Sequence, residues 1–431
     1  MVLHPAEVAQ HSNANSCWLI IHADFLPNYP GGKRGRDSTA DFDLVHSNDV
    51  LDKWLEPSKH LGDVDTSVAG MSANETTQSK EPEQSQGTPI TQQAMKKSSW
   101  NYYSTEAEDE FTIKENIAAF QRIRFRPKVL VNVEHVDIST TMLGAHASAP
   151  IYITATAHAK IGDPGGEVTL TRASNKHYII QMIPLYSSCP IKNITNAREP
   201  NQIYVKKDRN VTRKAVEAAE TRGCKALCIT VVNLHLGSRE KVLRSQQCDS
   251  EDDEFEDTPA TELDPSLIMN STLSWDDIPW FQDITDMPIV LKGVQRVGDV
   301  IKAAEYGVQA VILSNHGGRQ LDYSEAPIKV LAEVIPVLRE RGFQGKIEVY
   351  IDGGVRRGSD VFKALCLGAR GVGIGRPFLY AIAAYGQKGL ENAIRIYKDE
   401  IERNMRLLGC TSIDQLYPGL VKVLGQIQER L

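Results

Sequence analysis

The sequence predicts an α/β protein: a closed (β/α)8 barrel preceded by a small, separate α+β block. Three observations predict it. Eight short apolar runs of strand length recur between residues 151 and 376, amphipathic helical stretches lie between them, and six of the runs end in polar side chains. An open doubly wound sheet is the structural competitor. The 431 residues are too many for one ordinary domain, and a barrel of about 250 residues plus a small extra domain fits them.

The runs are IYITATA (151–157), YIIQMI (178–183), QIYV (202–205), ALCITVV (226–232), PIVLKG (288–293), AVILSNH (310–316), IEVYIDGG (347–354) and GVGIGR (371–376). The helical patterns RKAVEAAETRG, VGDVIKAAEYG and SDVFKALCLG separate several of them, and each closes on glycine, the usual C-terminal stop. Between the fourth and fifth runs lies QQCDSEDDEFEDTPATELD, an acidic insertion that reads as a solvated loop or as a lid over the barrel mouth. Residues 1–68 form one compositional block. Residues 69–95, with GMSANETTQSKEPEQSQGTPITQQ, have linker composition, and 96–431 form the barrel.

Composition excludes several classes of function. Hydrophobic residues make up 41% and charged residues 24%, enough for a large core. The net charge of -7, with no basic run, argues against nucleic acid or an anionic membrane as partner. No apolar stretch approaches the roughly 18 residues of a membrane span. MVLHPAEVAQHS has neither a signal core nor an Arg-rich presequence, so a cytoplasmic protein is expected, with the mitochondrion as the alternative. The seven cysteines are scattered and read as reduced thiols. Cys224 and Cys228 lie four apart, but no second pair follows to complete a zinc site.

Barrel enzymes build their sites at the C-terminal ends of the strands. Here the third run ends near Tyr204, the fourth holds Thr230 and the fifth ends in Lys292. The sixth ends in Ser314, Asn315 and His316, followed by Gly317, Gly318 and Arg319. The seventh ends in Asp352, Gly353 and Gly354, followed by Arg356, and the eighth in Gly375 and Arg376. In DGGVRRG and GIGRP, glycines let backbone N–H groups approach an anion and two arginines add forked donors, so a phosphate site is predicted there. The bland alternative is tight-turn glycines beside surface arginines. Lys292 has three readings: a Schiff-base lysine, a holder of an anionic ring, or a rim lysine. His316 is a candidate base and Arg319 a candidate carboxylate clamp.

KGVQ, LSNHGGRQLD, DGGVRRGSDVFKALCLGARGVGIGRPFLY and MRLLG resemble the FMN-dependent 2-hydroxy-acid dehydrogenase family, and the likeness covers 96–420. The first block resembles cytochrome b5. The resemblance implies an FMN cofactor, a small (S)-2-hydroxy acid such as L-lactate as substrate, oxygen or cytochrome c as electron acceptor, and a homotetramer. By similarity, Lys292 lies by the flavin N1–O2 edge, Thr156 and Ala157 lie beside N5, and Gln202, Thr230 and Ser314 contact the ring. Asp352, Gly353, Arg356, Gly375 and Arg376 hold the ribityl chain and phosphate. Tyr102 and Arg319 hold the substrate carboxylate, Tyr204 lies against the hydroxyl, Arg239 is a second cation and His316 is the base.

The chain departs from the family at several of these places. The pattern TVDxPxLGxRE appears as TVVNLHLGSRE, so Val232 stands where an aspartate pairs with the base. Pro184 replaces a flavin-binding serine, Tyr186 occupies the selectivity position, and His158 follows the ATA segment. Impaired or altered catalysis is therefore expected, and a flavin-binding protein with little turnover is the second functional reading. A Schiff-base or phosphosugar enzyme using Lys292 is the third, and it leaves SNHGGR unexplained. In the first block Tyr29 stands at the first axial position of the haem iron and His46 matches the second. His46 is thus the remaining candidate metal ligand, and a bis-histidine haem b is not expected.

Overall fold

The computed structural model describes residues 12–13, 16–21, 24–27, 89–184, 186–197, 209–232, 235, 237–242 and 272–424. The chain divides into two compact units, Met1–Glu83 and Gln84–Leu431. In the first, β1 (Ser12–Asn13), β2 (Ser16–Ile21) and β3 (Asp24–Pro27) form an antiparallel sheet in that order. Tyr29 and His46 lie outside the described residues.

The second unit is built on a curled parallel sheet. Its strands are β7 (Ile151–Ile153), β8 (Ile180–Gln181), β9 (Leu227–Thr230), β10 (Ile289–Val294), β11 (Ala310–Leu313), β12 (Glu348–Asp352) and β13 (Gly371–Ile374). They run in the order β8-β7-β13-β12-β11-β10-β9, every pairing parallel. The first strand, β7, pairs with the last, β13. A doubly wound sheet reverses direction at a switch point and puts its first and last strands apart, whereas a barrel brings them together. The barrel expectation therefore holds over these seven strands. The run QIYV, which falls between β8 and β9 in the chain, lies outside the described residues, as does the acidic insertion.

The strands are shorter than their apolar runs suggest. IYITATA pairs only over Ile151–Ile153 and YIIQMI only over Ile180–Gln181. AVILSNH stops at Leu313 and IEVYIDGG at Asp352. The polar and glycine tails leave the ladder at these points and become the loops that build the site.

Three smaller pieces complete the frame. β4 (Ile123–Phe125) pairs with β14 (Val421–Val423), and the hairpin of β5 (Thr140–Met142) and β6 (Ala145–Ala147) sends Met142 and Ala147 into the inner core. Ahead of β4 lie α1 (Pro89–Ala94), α2 (Lys97–Ser104) and α3 (Phe111–Gln121). Although residues 89–95 fall in the stretch expected to be a polar linker, Thr91 and Met95 are buried, and the Thr91 hydroxyl donates to the Tyr380 carbonyl at 3.3 Å. The predicted helices are present as α4 (Arg209–Thr221), α5 (Val297–Glu305) and α6 (Gly358–Cys366), and α7 (Arg376–Leu408) follows β13.

Side-chain alternation decides what the strands offer. Ile289 and Leu291, Val311 and Leu313, and Val349 and Ile351 pack outward in the larger core. Tyr152, Cys228, Val290, Ile312 and Tyr350 pack inward as one apolar layer. A strand repeats its facing every second residue. Two residues on from that layer stand Thr154, Thr230, Lys292, Ser314 and Asp352, a polar layer at the C-terminal mouth.

Candidate active site

The polar layer is wired together. Lys292 and Asp352 are 3% and 4% exposed and form an ion pair of 3.0 Å. The Lys292 amine also donates to Ser314 Oγ at 3.1 Å, the Ser314 hydroxyl donates to Asp352, and Thr154 Oγ1 donates to Asp352 Oδ2 at 2.7 Å. Burial works against ionisation of Asp352, but the Lys292 charge and the two hydroxyls outweigh it and hold the carboxyl below its usual range. A buried cation therefore stands fixed at the mouth, and either half of the pair alone would be an uncompensated buried charge. This geometry gives Lys292 a salt-bridged place and takes away its rim-lysine reading.

The loop after β11 carries the candidate base, His316. His316 adopts a left-handed backbone (φ 58), and its N–H donates to Ser314 Oγ at 3.1 Å. Such a conformation is costly for a residue with a Cβ and persists where surrounding structure enforces it. The anchor is Asp322, at the end of the same motif, which accepts from the N–H groups of Phe111 and Thr112 at 3.1 and 2.7 Å and so caps α3. His316 Nδ1 is buried and has no hydrogen-bond partner among the described residues. Burial, then the charges of Lys292 and Arg319, push the imidazole well below the ordinary histidine pKa, with Asp352 opposing. The ring is a neutral base.

Arg319 reaches back to the end of α2. Its Nη1 donates to the carbonyls of Tyr102 at 2.7 Å and Thr105 at 3.0 Å. Its guanidinium lies 4.9 Å from the centre of the Tyr102 ring, and that of Arg239 lies 5.8 Å from it. Burial, then the Arg239 charge, pull Arg319 down to about 10. Two cations and a phenol thus converge where a carboxylate was expected to bind. His158 joins them, its ring edge-on to Tyr102 at 5.9 Å.

The residues of the predicted anion subsite follow the strand ends of β12 and β13. Gly354 has φ 80, and a Cβ there would stand 2.2 Å from the Asn116 carbonyl oxygen, so only glycine allows α3 this close. Asn116 and Asn315 exchange amide hydrogen bonds of 2.9 and 2.7 Å, which lock the loop after β11 to α3. The Asp360 carboxylate accepts from the N–H groups of Arg356 and Arg357 at 3.0 and 3.1 Å, fastening the turn into α6. Arg376 donates through Nε to the Tyr103 carbonyl at 3.0 Å and through Nη2 to Gly317 at 3.1 Å. Thr156 lies beside Gly375, whose Cβ would come within 3.7 Å of Thr156 Cγ2, and Ala157 lies half-buried on the same loop.

These residues fit a flavin nucleotide. The Arg356 guanidinium makes no ion pair or hydrogen bond among the described residues although burial and Arg376 both lower its pKa, which is the state of a cation awaiting an anion. Thr230 Oγ1 is buried without a partner among the described residues. Gly353, Gly354 and Gly375 leave bare backbone beside both arginines. Of the predicted site residues, Tyr102, Arg239, Lys292, Ser314, His316 and Arg319 gather at one mouth, with Asp352, Arg356 and Arg376 along it. Gln202 and Tyr204 lie outside the described residues. Sequence reasoning missed Thr154, which period-two alternation from Thr156 would have found, and Asn116, which has no local signal.

A barrel that gathers a buried neutral histidine, two arginines against a tyrosine ring and two further arginines beside bare glycine backbone has the outline of a cofactor-dependent oxidoreductase. Residues 91–423 match the family model described as FMN-dependent dehydrogenase, and the chain belongs to that family. Residues 4–65 match the model of the cytochrome b5-like haem/steroid binding domain. An L-lactate dehydrogenase (cytochrome) of Wickerhamomyces anomalus is 44% identical over 97% of this chain and 79% of its own length. A peroxisomal (S)-2-hydroxyacid oxidase of Arabidopsis thaliana is 43% identical over 76% of this chain and 92% of its own. The structure of a flavocytochrome b2 double mutant with pyruvate bound superposes with a TM-score of 0.73 and 46% identity, covering 78% of this chain and 84% of that one. Among the described residues no helix is long and apolar enough to cross a membrane.

Proposed function

We propose that the protein oxidises a small (S)-2-hydroxy acid, L-lactate or a near relative, to the 2-oxo acid, with FMN held in the barrel at 96–431. The observation that carries the reading is that His316 and Arg319 share one turn, with Tyr102 against the arginine and Lys292 below the histidine. Arg319 and Arg239 hold the substrate carboxylate, and the Tyr102 ring fixes its orientation. His316, neutral at working pH, takes a proton from the substrate. FMN, when bound, accepts the two electrons of the oxidation. Lys292 would supply a fixed positive charge beside the flavin, and Arg356 and Arg376 would hold its phosphate. Tyr204 serves the substrate hydroxyl, and Gln202 and Thr230 the flavin. Oxygen is the proposed acceptor, because the sequence has Tyr29 in place of one of the two family histidines, leaving the block at 1–68 one imidazole short of a bis-histidine haem; cytochrome c is the acceptor if that block nonetheless carries haem.

Val232 and the unpartnered His316 Nδ1 favour slow turnover, and they keep a second reading, a flavin-binding protein of little activity. Anaerobic titration of the purified protein with L-lactate, glycolate and mandelate separates the two. Bleaching of the oxidised flavin is expected with at least one acid. A yellow protein that none of them bleaches leaves only the second reading, and a colourless one that FMN cannot reconstitute removes both.

A further inference from the structure

Glu106 lies in the turn between α2 and α3, in the sequence YYSTEAEDE, and its side chain is fully enclosed. Enclosed carboxylates are rare unless paired. The turn is pinned from both sides. The Thr105 hydroxyl donates to the Asn101 carbonyl at 2.6 Å, and the Ala107 N–H donates to the Gly318 carbonyl at 3.1 Å. Gly318 admits it: a Cβ there would stand 3.2 Å from Glu106 Cγ.

The partner of Glu106 is the notable point. Its Oε1 lies 2.5 Å from Nη2 of Arg376, one of the two arginines of the phosphate subsite. Arg376 therefore spends Nε on Tyr103 and Nη2 on both Gly317 and Glu106. Arg356, the other phosphate arginine, pairs with no acid among the described residues. The charge of Glu106 also reaches Arg319 and Arg356. An anion entering beside Arg376 meets a guanidinium already neutralised, with a carboxylate one residue behind it. Coulomb repulsion between that carboxylate and a phosphate acts through an enclosed, weakly screened medium.

We propose that Glu106 is a built-in counter-ion of the flavin phosphate subsite: it competes with the phosphate for Arg376, weakens FMN binding relative to riboflavin, and so keeps the flavin exchangeable. The proposal rests on the flavin site described above, and it concerns only the phosphate end of it.

The test is a pair of dissociation constants, for FMN and for riboflavin, measured by flavin fluorescence on the full chain freed of flavin. In Glu106→Gln, FMN is expected to bind at least about tenfold more tightly, and riboflavin within about twofold of wild type. Glu106→Asp keeps the charge and is expected to stay within about threefold of wild type for both. FMN binding more weakly in Glu106→Gln would show that the carboxylate orients Arg376 for the phosphate, and the proposal falls. Equal shifts for FMN and riboflavin would show a packing role, and it falls again. The wild type gives a reading that needs no variant: FMN should be preferred over riboflavin by less than about a hundredfold, and a larger preference overturns the proposal. A wild type that binds neither compound refutes the flavin site itself, an outcome distinct from any of these.

Discussion

Val232 sits next to the catalytic turn. Gln320, four residues beyond His316, donates to the carbonyls of Val232 and His235 at 3.4 and 2.7 Å. An isopropyl group there cannot accept a proton from an imidazolium or fix the ring's tautomer, so the charged form that arises as the substrate proton leaves has no partner. Losing such an orienter costs on the order of 10²–10⁴ in rate. Val232→Asp is expected to speed flavin reduction by an accepted acid at least about tenfold with FMN occupancy unchanged. The pH profile has a definite sign. His316 lies well below the ordinary 6.5, so the acid limb of kcat/KM should fall below that pH. A carboxylate partner favours the imidazolium and moves the limb upward in Val232→Asp. Stopped-flow reduction across pH decides it, and a variant no faster than wild type, with an unmoved limb, would show that the missing acid is not the limiting defect.

At the scale of elements, the site depends on two loops meeting α3. The Asn116–Asn315 amide pair and the Asp322 cap bind the helix to the loop after β11, and Gly354 brings the loop after β12 against the Asn116 carbonyl. The Gly354 approach is one of backbone on backbone, which cannot shift as a flexible side chain can. Gly354→Ala adds a Cβ at 2.2 Å from that oxygen on a residue with φ 80. It is expected to cost about 2 kcal/mol or more of stability and to lower FMN retention, because Arg356 rides on the same turn. Urea unfolding of the full chain with a flavin-retention assay checks this; an unchanged midpoint with full retention would mean that the loop tolerates the added group.

At the scale of the molecule, the matched flavin contacts all belong to the second unit, Gln84–Leu431. The burial of Thr91 and Met95 shows that the segment ahead of residue 96 contributes to this unit's packing. A fragment spanning 84–431 is therefore expected to fold and take up FMN without the first unit, whereas one starting at 96 loses the Thr91–Tyr380 tie. A folded but colourless 84–431 fragment that FMN does not reconstitute would contradict the assignment. The full chain is expected to lack the Soret band and the sharp reduced bands of a b-type haem at one per chain, and their presence would restore the cytochrome route to the proposed acceptor.

Apolar runs, glycine stops and polar strand ends determined the barrel and most of the site from sequence, because these signals are local. Alternation along one strand is enough to face Lys292 and Asp352 the same way, and one turn is enough to join His316 to Arg319. The tertiary structure alone decided where each strand stops, since pairing depends on what the neighbouring strand offers and the polar tails found better partners in loops. It alone decided that Lys292 is salt-bridged, as its partner stands 60 residues away on β12. It alone revealed Asn116 beneath Gly354 and Glu106 on Arg376, pairs separated by hundreds of residues. Long-range electrostatics and close backbone approach leave no periodic trace in a chain, so only folding brings them into view.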